Sequence, residues 1–369
     1  MLMRTLARAA VPVVTIALLM MLVPSVATAA TRPTTFGIYL GSSCIDGQSA
    51  DNAAVRVVWR SPSGALKLKG DYRASSNGGW WTACAQLPRV LKVGDRISAT
   101  VGSTTRHLTV PRLTLRPDRV NDKFKGRAPA GSTVRLTYTP GLFADYDVTT
   151  RVTTHSDGTW RYNPRYNIIG GHYASASWKS PKGDRVTVDS VAPFLTVTLG
   201  KASFEGVAKP GITVRAKLKD AATGDVKSIG EAGTGRSGAF SGQFRTALGS
   251  TFRLAAGLRL IARNVATDAN WIVPDITGHA SAATDAVNGR CFDAGTSARF
   301  RVAYVIAPDG DSRGWAASPT EDNGTFSFNF REDKESPWFR RADVHSGDTI
   351  MVRCLQTTGD WVQLRVPVP

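Results

Sequence analysis

The chain has 369 residues, 42% hydrophobic and 20% charged, with 46 lysines and arginines against 29 aspartates and glutamates, a formal net charge of +17. That length is too great for one hydrophobic core and suits several domains. Beyond the first thirty residues no stretch is long and apolar enough to cross a membrane.

Arg4 and Arg8 form a basic start, an apolar run follows from Ala9 to Val23, and Ala27-Thr28-Ala29 offers a small-x-small cleavage site. Residues 1–29 are therefore expected to be a secretory signal peptide. The first cysteine, Cys44, lies well past the cleavage site, and VQLRVPVP at the end shows neither a hydrophobic tail nor a sorting signal. The expected location is extracellular, soluble or held to the cell wall by non-covalent contacts. Four cysteines in an exported chain point to two disulfides, and four thiols allow three pairings.

From there the chain repeats itself. A first unit, 31–110, carries CIDG with Gly47, then ADNAAVRVVW (50–59), SNGGW (76–80) and VGDRISATV (93–101). The second, 111–192, carries FKG with Gly126, APAGSTVRLTY (128–138), SDGTW (156–160) and GHYASASW (171–178). In the third, 193–274, the same markers read FEG with Gly206, AKPGITVRAKL (208–218), RSGAF (236–240) and GLRLIARNV (257–265). The fourth, 275–369, has VNG with Gly289, FDAGTSARFRVAY (292–304), DNGTF (322–326) and SGDTIMVRC (346–354). Such internal matches are the signature of tandem modules.

Within the units the apolar period is two. Val55, Val57 and Trp59 alternate with Arg56 and Arg60, and Val134, Leu136 and Tyr138 alternate with Arg135 and Thr137. That period places one strand face on a core and the other in water. No window after the signal peptide reads as an amphipathic helix. Asn77-Gly78, Asp157-Gly158 and Asn323-Gly324 accept positive φ and can close hairpins, after which Trp80, Trp160, Phe240 and Phe326 each open a strand facing inward. The expected fold is all-β, four tandem antiparallel sandwiches, each with its own core, and the glycine landmarks are expected to bend the backbone.

The pattern resembles bacterial immunoglobulin-like (Big-type) tandem-repeat domains of secreted surface proteins. GRAPAGSTVRL with SDGTWRY in the second unit and GVAKPGITVRA with SGAF in the third carry the resemblance best, while the first unit lacks the P-x-G turn and the fourth its proline. The resemblance implies immunoglobulin-like sandwiches and an exported location, and it assigns no chemistry. In an extended array of such units Cys44 pairs with Cys84 and Cys291 with Cys354, each within one unit. Closing these loops stabilises each domain by roughly 4 kcal/mol on the chain-entropy model. The second bridge is expected to join the two sheets, as in immunoglobulin domains.

Charge is uneven along the chain: the first three units carry +6 each and the fourth −3. Outside a bacterial cell such a chain is drawn to polyanions, and the outward strand cations Arg56, Arg60, Arg135, Arg215, Lys217 and Lys219 are candidate contacts for an anionic cell-wall polymer. The same scattered charges also serve solubility and discourage edge pairing. No basic helix, zinc spacing or stacking-aromatic motif points to specific nucleic-acid readout. In the fourth unit the long stretch between Phe330 and Val344 sets Trp338, Phe339, Arg340 and Arg341 among charges, a candidate partner-binding loop that suits a surface polysaccharide. Asp309 and Asp311 are too few oxygens for a calcium site. His107, His155, His172, His279 and His345 are scattered, and neither a metal-binding spacing nor a nucleophile elbow occurs. The expectation is a non-enzymatic adhesion or spacer protein without a cofactor, with polysaccharide binding as the alternative and a hydrolase third.

Overall fold

The structure is a computed structural model that describes residues 33–82, 90–139, 147–265, 269–292, 300–319, 324–331, 339–356 and 359–369. The expected signal peptide, Cys84 and Trp338 lie outside the described residues. All regular structure among the described residues is β, as the period-two pattern requires.

The first sandwich contains β1 (Thr35–Tyr39), β2 (Ile45–Gln48), β3 (Ala54–Arg60), β4 (Leu66–Arg73), β5 (Gly79–Trp81), β6 (Arg96–Val101) and β7 (Thr104–Thr109). The second contains β8 (Thr114–Asp118), β9 (Lys123–Arg127), β10 (Thr133–Tyr138), β11 (Val148–Thr153), β12 (Thr159–Tyr162), β13 (Tyr173–Lys179) and β14 (Arg185–Val191). The third runs through β15 (Phe194–Thr198), β16 (Ser203–Val207), β17 (Thr213–Asp220), β18 (Val226–Gly233), β19 (Ala239–Gln243), β20 (Leu258–Arg263) and β21 (Ala269–Ile272). The fourth comprises β22 (Asp275–Ser281), β23 (Ala286–Phe292), β24 (Phe300–Ile306), β25 (Ser312–Pro319), β26 (Thr325–Asn329), the short β27 (Phe339–Arg340), β28 (Thr349–Leu355) and β29 (Trp361–Pro367).

Each sandwich repeats one wiring. Its first, second and fifth strands form one sheet and its remaining strands the other, the fourth sandwich adding the short β27 to the second group. The fourth strand thus pairs with the third and not with the fifth, unlike the four-plus-three arrangement of antibody constant domains.

Two of the repeated markers turn out to be one device. The hairpin glycines Gly78, Gly158, Gly238 and Gly324 do bend the chain, with φ between 74° and 84°. Gly47, Gly126, Gly206 and Gly289 do not, and here the expectation is corrected. Each is paired across the sheet with the hairpin aromatic of its own sandwich: Trp80, Trp160, Phe240 and Phe326 respectively. A β-carbon on Gly126 would collide with the Thr114 carbonyl and the Trp160 indole, and the other three glycines meet the same pair of obstacles. The ring lies over the bare backbone, which is why all four aromatics are buried.

The four sandwiches are not beads on a string. β1 runs parallel to β14, so one seven-stranded sheet crosses from the first sandwich into the second. β15 runs parallel to β29 in the same way, and one eight-stranded sheet joins the third to the fourth. Because each joined sheet has a single inner face, each pair has one continuous core. Phe36, Trp59 and Trp80 cluster with Phe124, Leu136 and Trp160, and Phe204, Phe240 and Trp271 cluster with Val287, Phe326 and Ile350. The expectation of a separate core for every unit is overturned by this strand sharing. The extended array is overturned as well: Ile169 of the second sandwich packs with Val302, Leu355 and Trp361 of the fourth.

Cys291 on β23 and Cys354 on β28 form a disulfide with a Cα–Cα distance of 6.0 Å, bridging the two sheets of the fourth sandwich as expected. Cys44 is disulfide-bonded; its expected partner, Cys84, is outside the described residues.

Candidate functional site

The six expected polyanion contacts all lie on third strands and on outward faces, but on three different sheets. Arg56 and Arg60 are on β3, Arg135 on β10, and Arg215, Lys217 and Lys219 on β17. Two of them are matched by carboxylates across the sheet: Arg56 with Asp71 at 2.8 Å and Arg215 with Glu231 at 2.9 Å. These pairs are solvent-exposed, and the hydrogen bond to Asp71 raises the Arg56 guanidinium. Arg60 donates to the Gly64 carbonyl at 3.0 Å. Elsewhere like charges face one another, with Arg135 opposite Arg151, Arg215 opposite Arg263, and Lys219 opposite Arg259. The residues are therefore a scatter of cationic positions, densest on the third sandwich, and not a single patch.

In the fourth sandwich, β27 pairs with β25 at the edge of the joined sheet, setting Phe339 opposite Ala316 and Arg340 opposite Trp315. Phe339 is half-buried and packs against the core, whereas Arg340 and Arg341 are exposed. Of the expected aromatic pair, one member thus serves the fold and the other, Trp338, lies outside the described residues.

The structure adds two open depressions that the sequence reading did not find. One, of about 490 Å³, sits where the first sandwich meets the second and is lined by Tyr39, Trp81, Asp46, Ser42 and Asp189. Trp81 is 65% exposed and Tyr39 40% exposed. Both belong to outward rows of the joined sheet, and the seating of β1 beside β14 brings Thr187 opposite Tyr39 and Asp189 into the same depression. Asp46 lies over Gly37, where a side chain would collide with its carboxylate. Burial raises its carboxyl above the usual range, and Arg185 partly opposes the rise. Nearby, burial and a hydrogen bond to Asp189 push the Tyr173 phenol up to about 12.

The other depression, of about 540 Å³, lies on the three-stranded sheet of the second sandwich, lined by Arg112, Arg116, Lys125, Arg127, His155 and Arg161. The only sequence signal for it is FKGR read beside RLTLRP and TWRY, whose basic residues fall at alternating positions. Knowing that those three strands pair is what brings the charges together.

Among the described residues no group of three or more His, Cys, Asp or Glu could hold a metal ion. His172 is accounted for by the fold. It is buried, and its Nδ1 accepts the Ile169 N–H three residues back at 3.3 Å. Asp95 and Asp348 fill the same turn in the first and fourth sandwiches, accepting from Lys92 and His345 N–H.

No protein-family model matches the chain, and no curated protein matches it. Among solved structures it is similar to a tetra-tandem repeat from the extending region of a large adhesion protein, at 15% identity and a TM-score of 0.19, covering 90% of this chain and 98% of that one. It is also similar to a structure of a 1.5-MDa bacterial ice-binding adhesin, at 13% identity and a TM-score of 0.16, covering 79% of this chain and 92% of that one. A third similarity, to Escherichia coli alpha-2-macroglobulin, has 11% identity and a TM-score of 0.18, with 92% of this chain and 30% of that one covered. At TM-scores this low the superpositions add nothing to the fold read from strand pairing.

Proposed function

We propose that the chain is an exported, non-enzymatic spacer and adhesion protein that is held to anionic polymers outside the cell. The observation that carries this reading is the excess of outward-facing cations on the first three sandwiches, set on sheets that share cores and so keep those charges in fixed places. The inter-sheet disulfide of the fourth sandwich suits an oxidising compartment. Retention of the full chain on an immobilised anionic wall polymer or on heparin is the test. It should fall steeply between about 50 and 200 mM salt, because each neutralised anion releases a counterion. Retention that ignores salt, or none at low salt, overturns the reading.

A second reading, polysaccharide binding, is favoured by the depression between the first two sandwiches. Trp81 and Tyr39 offer exposed ring faces beside the carboxylates of Asp46 and Asp189, the combination that stacks on a sugar ring and fixes its hydroxyls. Oligosaccharides should then quench tryptophan fluorescence at any salt concentration, and Trp81→Ala should abolish the effect while Trp338→Ala leaves it.

A further inference from the structure

The rows of the four equivalent three-stranded units on the face away from the core can be aligned by counting one residue from the buried glycine–aromatic pair. In the first sandwich the row reads Gly37, Asp46, Trp81. In the third it reads Thr196, Glu205, Ser241, and in the fourth His279, Asn288, Ser327. The second alone reads Arg116, Lys125, Arg161, three cations paired directly across β8, β9 and β12. Arg127 occupies the middle of the next outward row, between Thr114 and Thr159, and Arg112 closes the end.

This row is unfavourable for the isolated fold. Neighbouring strands lie about 4.8 Å apart, and like charges directly opposite one another destabilise a sheet. Two carboxylates stand against the five cations. Asp118 accepts from Lys125 at 2.6 Å, and Asp157 lies beside Arg127 and His155. Burial tends to raise the Asp118 carboxyl, but hydrogen bonds from Lys125 and Asn121 prevail and lower it, and hydrogen bonds from Thr159 lower that of Asp157. Arg112, Arg116 and Arg161 are exposed.

We propose that this face of the second sandwich is the chain's specific anion site, and that it takes a linear, phosphate-bearing polymer without nucleobases. The inference rests on the adhesion reading above and deepens it by naming the surface and the ligand class. Arginine forks match phosphate oxygens in pairs, and four of the five cations are arginine. The cations lie across an open depression that spans three paired strands, so a chain can run along the row. The one Trp, Tyr or Phe lining it, Trp160, is 2% exposed, so no large ring face is offered for bases to stack on. The strand cations Arg56, Arg135 and Arg215 then contribute to the general field but not to the site.

The test measures binding of the full chain to long-chain inorganic polyphosphate across a salt series. Two variants remove equal charge: Arg116→Gln/Lys125→Gln/Arg161→Gln in the row, and Arg56→Gln/Arg135→Gln/Arg215→Gln on the third strands. The row variant should lose affinity at least tenfold at about 100 mM salt and reduce the log–log salt slope by about 2, the value for three phosphate contacts on a single strand. The third-strand variant should stay within about twofold of the parent. Because Lys125 holds Asp118, the double variant Arg116→Gln/Arg161→Gln, which leaves that pair intact, should show the same loss in smaller measure. No salt-sensitive binding by the parent overturns the adhesion reading itself. Parent binding with equal losses in both triple variants overturns only the site. Tighter binding of single-stranded DNA or of anionic phospholipid vesicles than of polyphosphate overturns the ligand class.

Discussion

Asp184, just before β14, and Asp360, just before β29, stand at the same point of two equivalent hairpins, yet they close different joints. Each follows a glycine of positive φ, Gly183 at 92° and Gly359 at 83°. Each accepts the N–H of the second residue of the parallel strand beside it, Asp184 from Phe36 at 3.2 Å and Asp360 from Leu195 at 2.9 Å. The difference lies in the cation. Asp184 takes Arg106 of the first sandwich at 3.1 Å, with 21% of the arginine side chain exposed, so it locks a pair from within. Asp360 takes Arg119 of the second sandwich at 3.1 Å, with 2% exposed, so it locks the first pair of sandwiches to the second. One local motif thus does two jobs, and the arginine it meets decides which.

The largest expected effect comes from breaking the buried joint. Arg119→Ala leaves Asp360 buried without its guanidinium and should cost about 3–5 kcal/mol in chemical denaturation. The loss should appear first as separation of the two halves in small-angle scattering. Asp184→Ala should cost less, about 1.5–3 kcal/mol, because Arg106 can turn to water while the Phe36 N–H loses its acceptor. If the two variants cost the same, exposure of the cation is not what separates the joints.

Acid sharpens the same contrast. Burial pushes the His172 imidazole down to about 4 from 6.5. The unfolded chain therefore binds a proton that the folded chain refuses, so this contribution to stability is whole above about pH 6.5 and declines as pH falls towards 4. At pH 5 the loss should be about 2 kcal/mol. Ile169 and Gly170, next to His172, meet the fourth sandwich at Trp361 and Gly359, so hydrogen exchange should report opening there before it reports opening around Phe36. His172→Asn, which can still accept the Ile169 N–H, should flatten the pH profile.

The smallest effect is expected at the glycine–aromatic device, where the halves also differ. The first half uses Trp80 and Trp160, whose buried indole N–H groups find no acceptor among the described residues, and the second uses Phe240 and Phe326. Trp160→Phe trades lost volume against a relieved polar group and should shift stability by no more than about 1 kcal/mol.

Much of this molecule was legible before any coordinates. Val134, Leu136 and Tyr138 point inward because a strand alternates its faces, and Gly158 turns the chain because few other residues accept its φ; both are properties of a few adjacent residues. The Cys291–Cys354 bridge followed from the repeat. The candidate sites were less legible. Arg56, Arg135 and Arg215 were found as outward cations, but the depression at Arg116, Lys125 and Arg161 was missed because its members come from three strands that meet only when paired. Gly183-Asp184 and Gly359-Asp360 occur in the second and fourth units, but Gly-Asp also occurs at Gly70, Gly94, Gly224, Gly310 and Gly347, so the dipeptide did not by itself announce a joint.

The sequence by itself determined the strands, their turns, the inward set of aromatics and the fourfold repeat, since each depends on spacing along the chain. Only the tertiary structure decided that the sandwiches fuse in pairs and that one pair clasps the other. Those outcomes depend on which strand edges meet and which arginine reaches a buried carboxylate, and residues as far apart as Arg119 and Asp360 share no local pattern from which that meeting could be read.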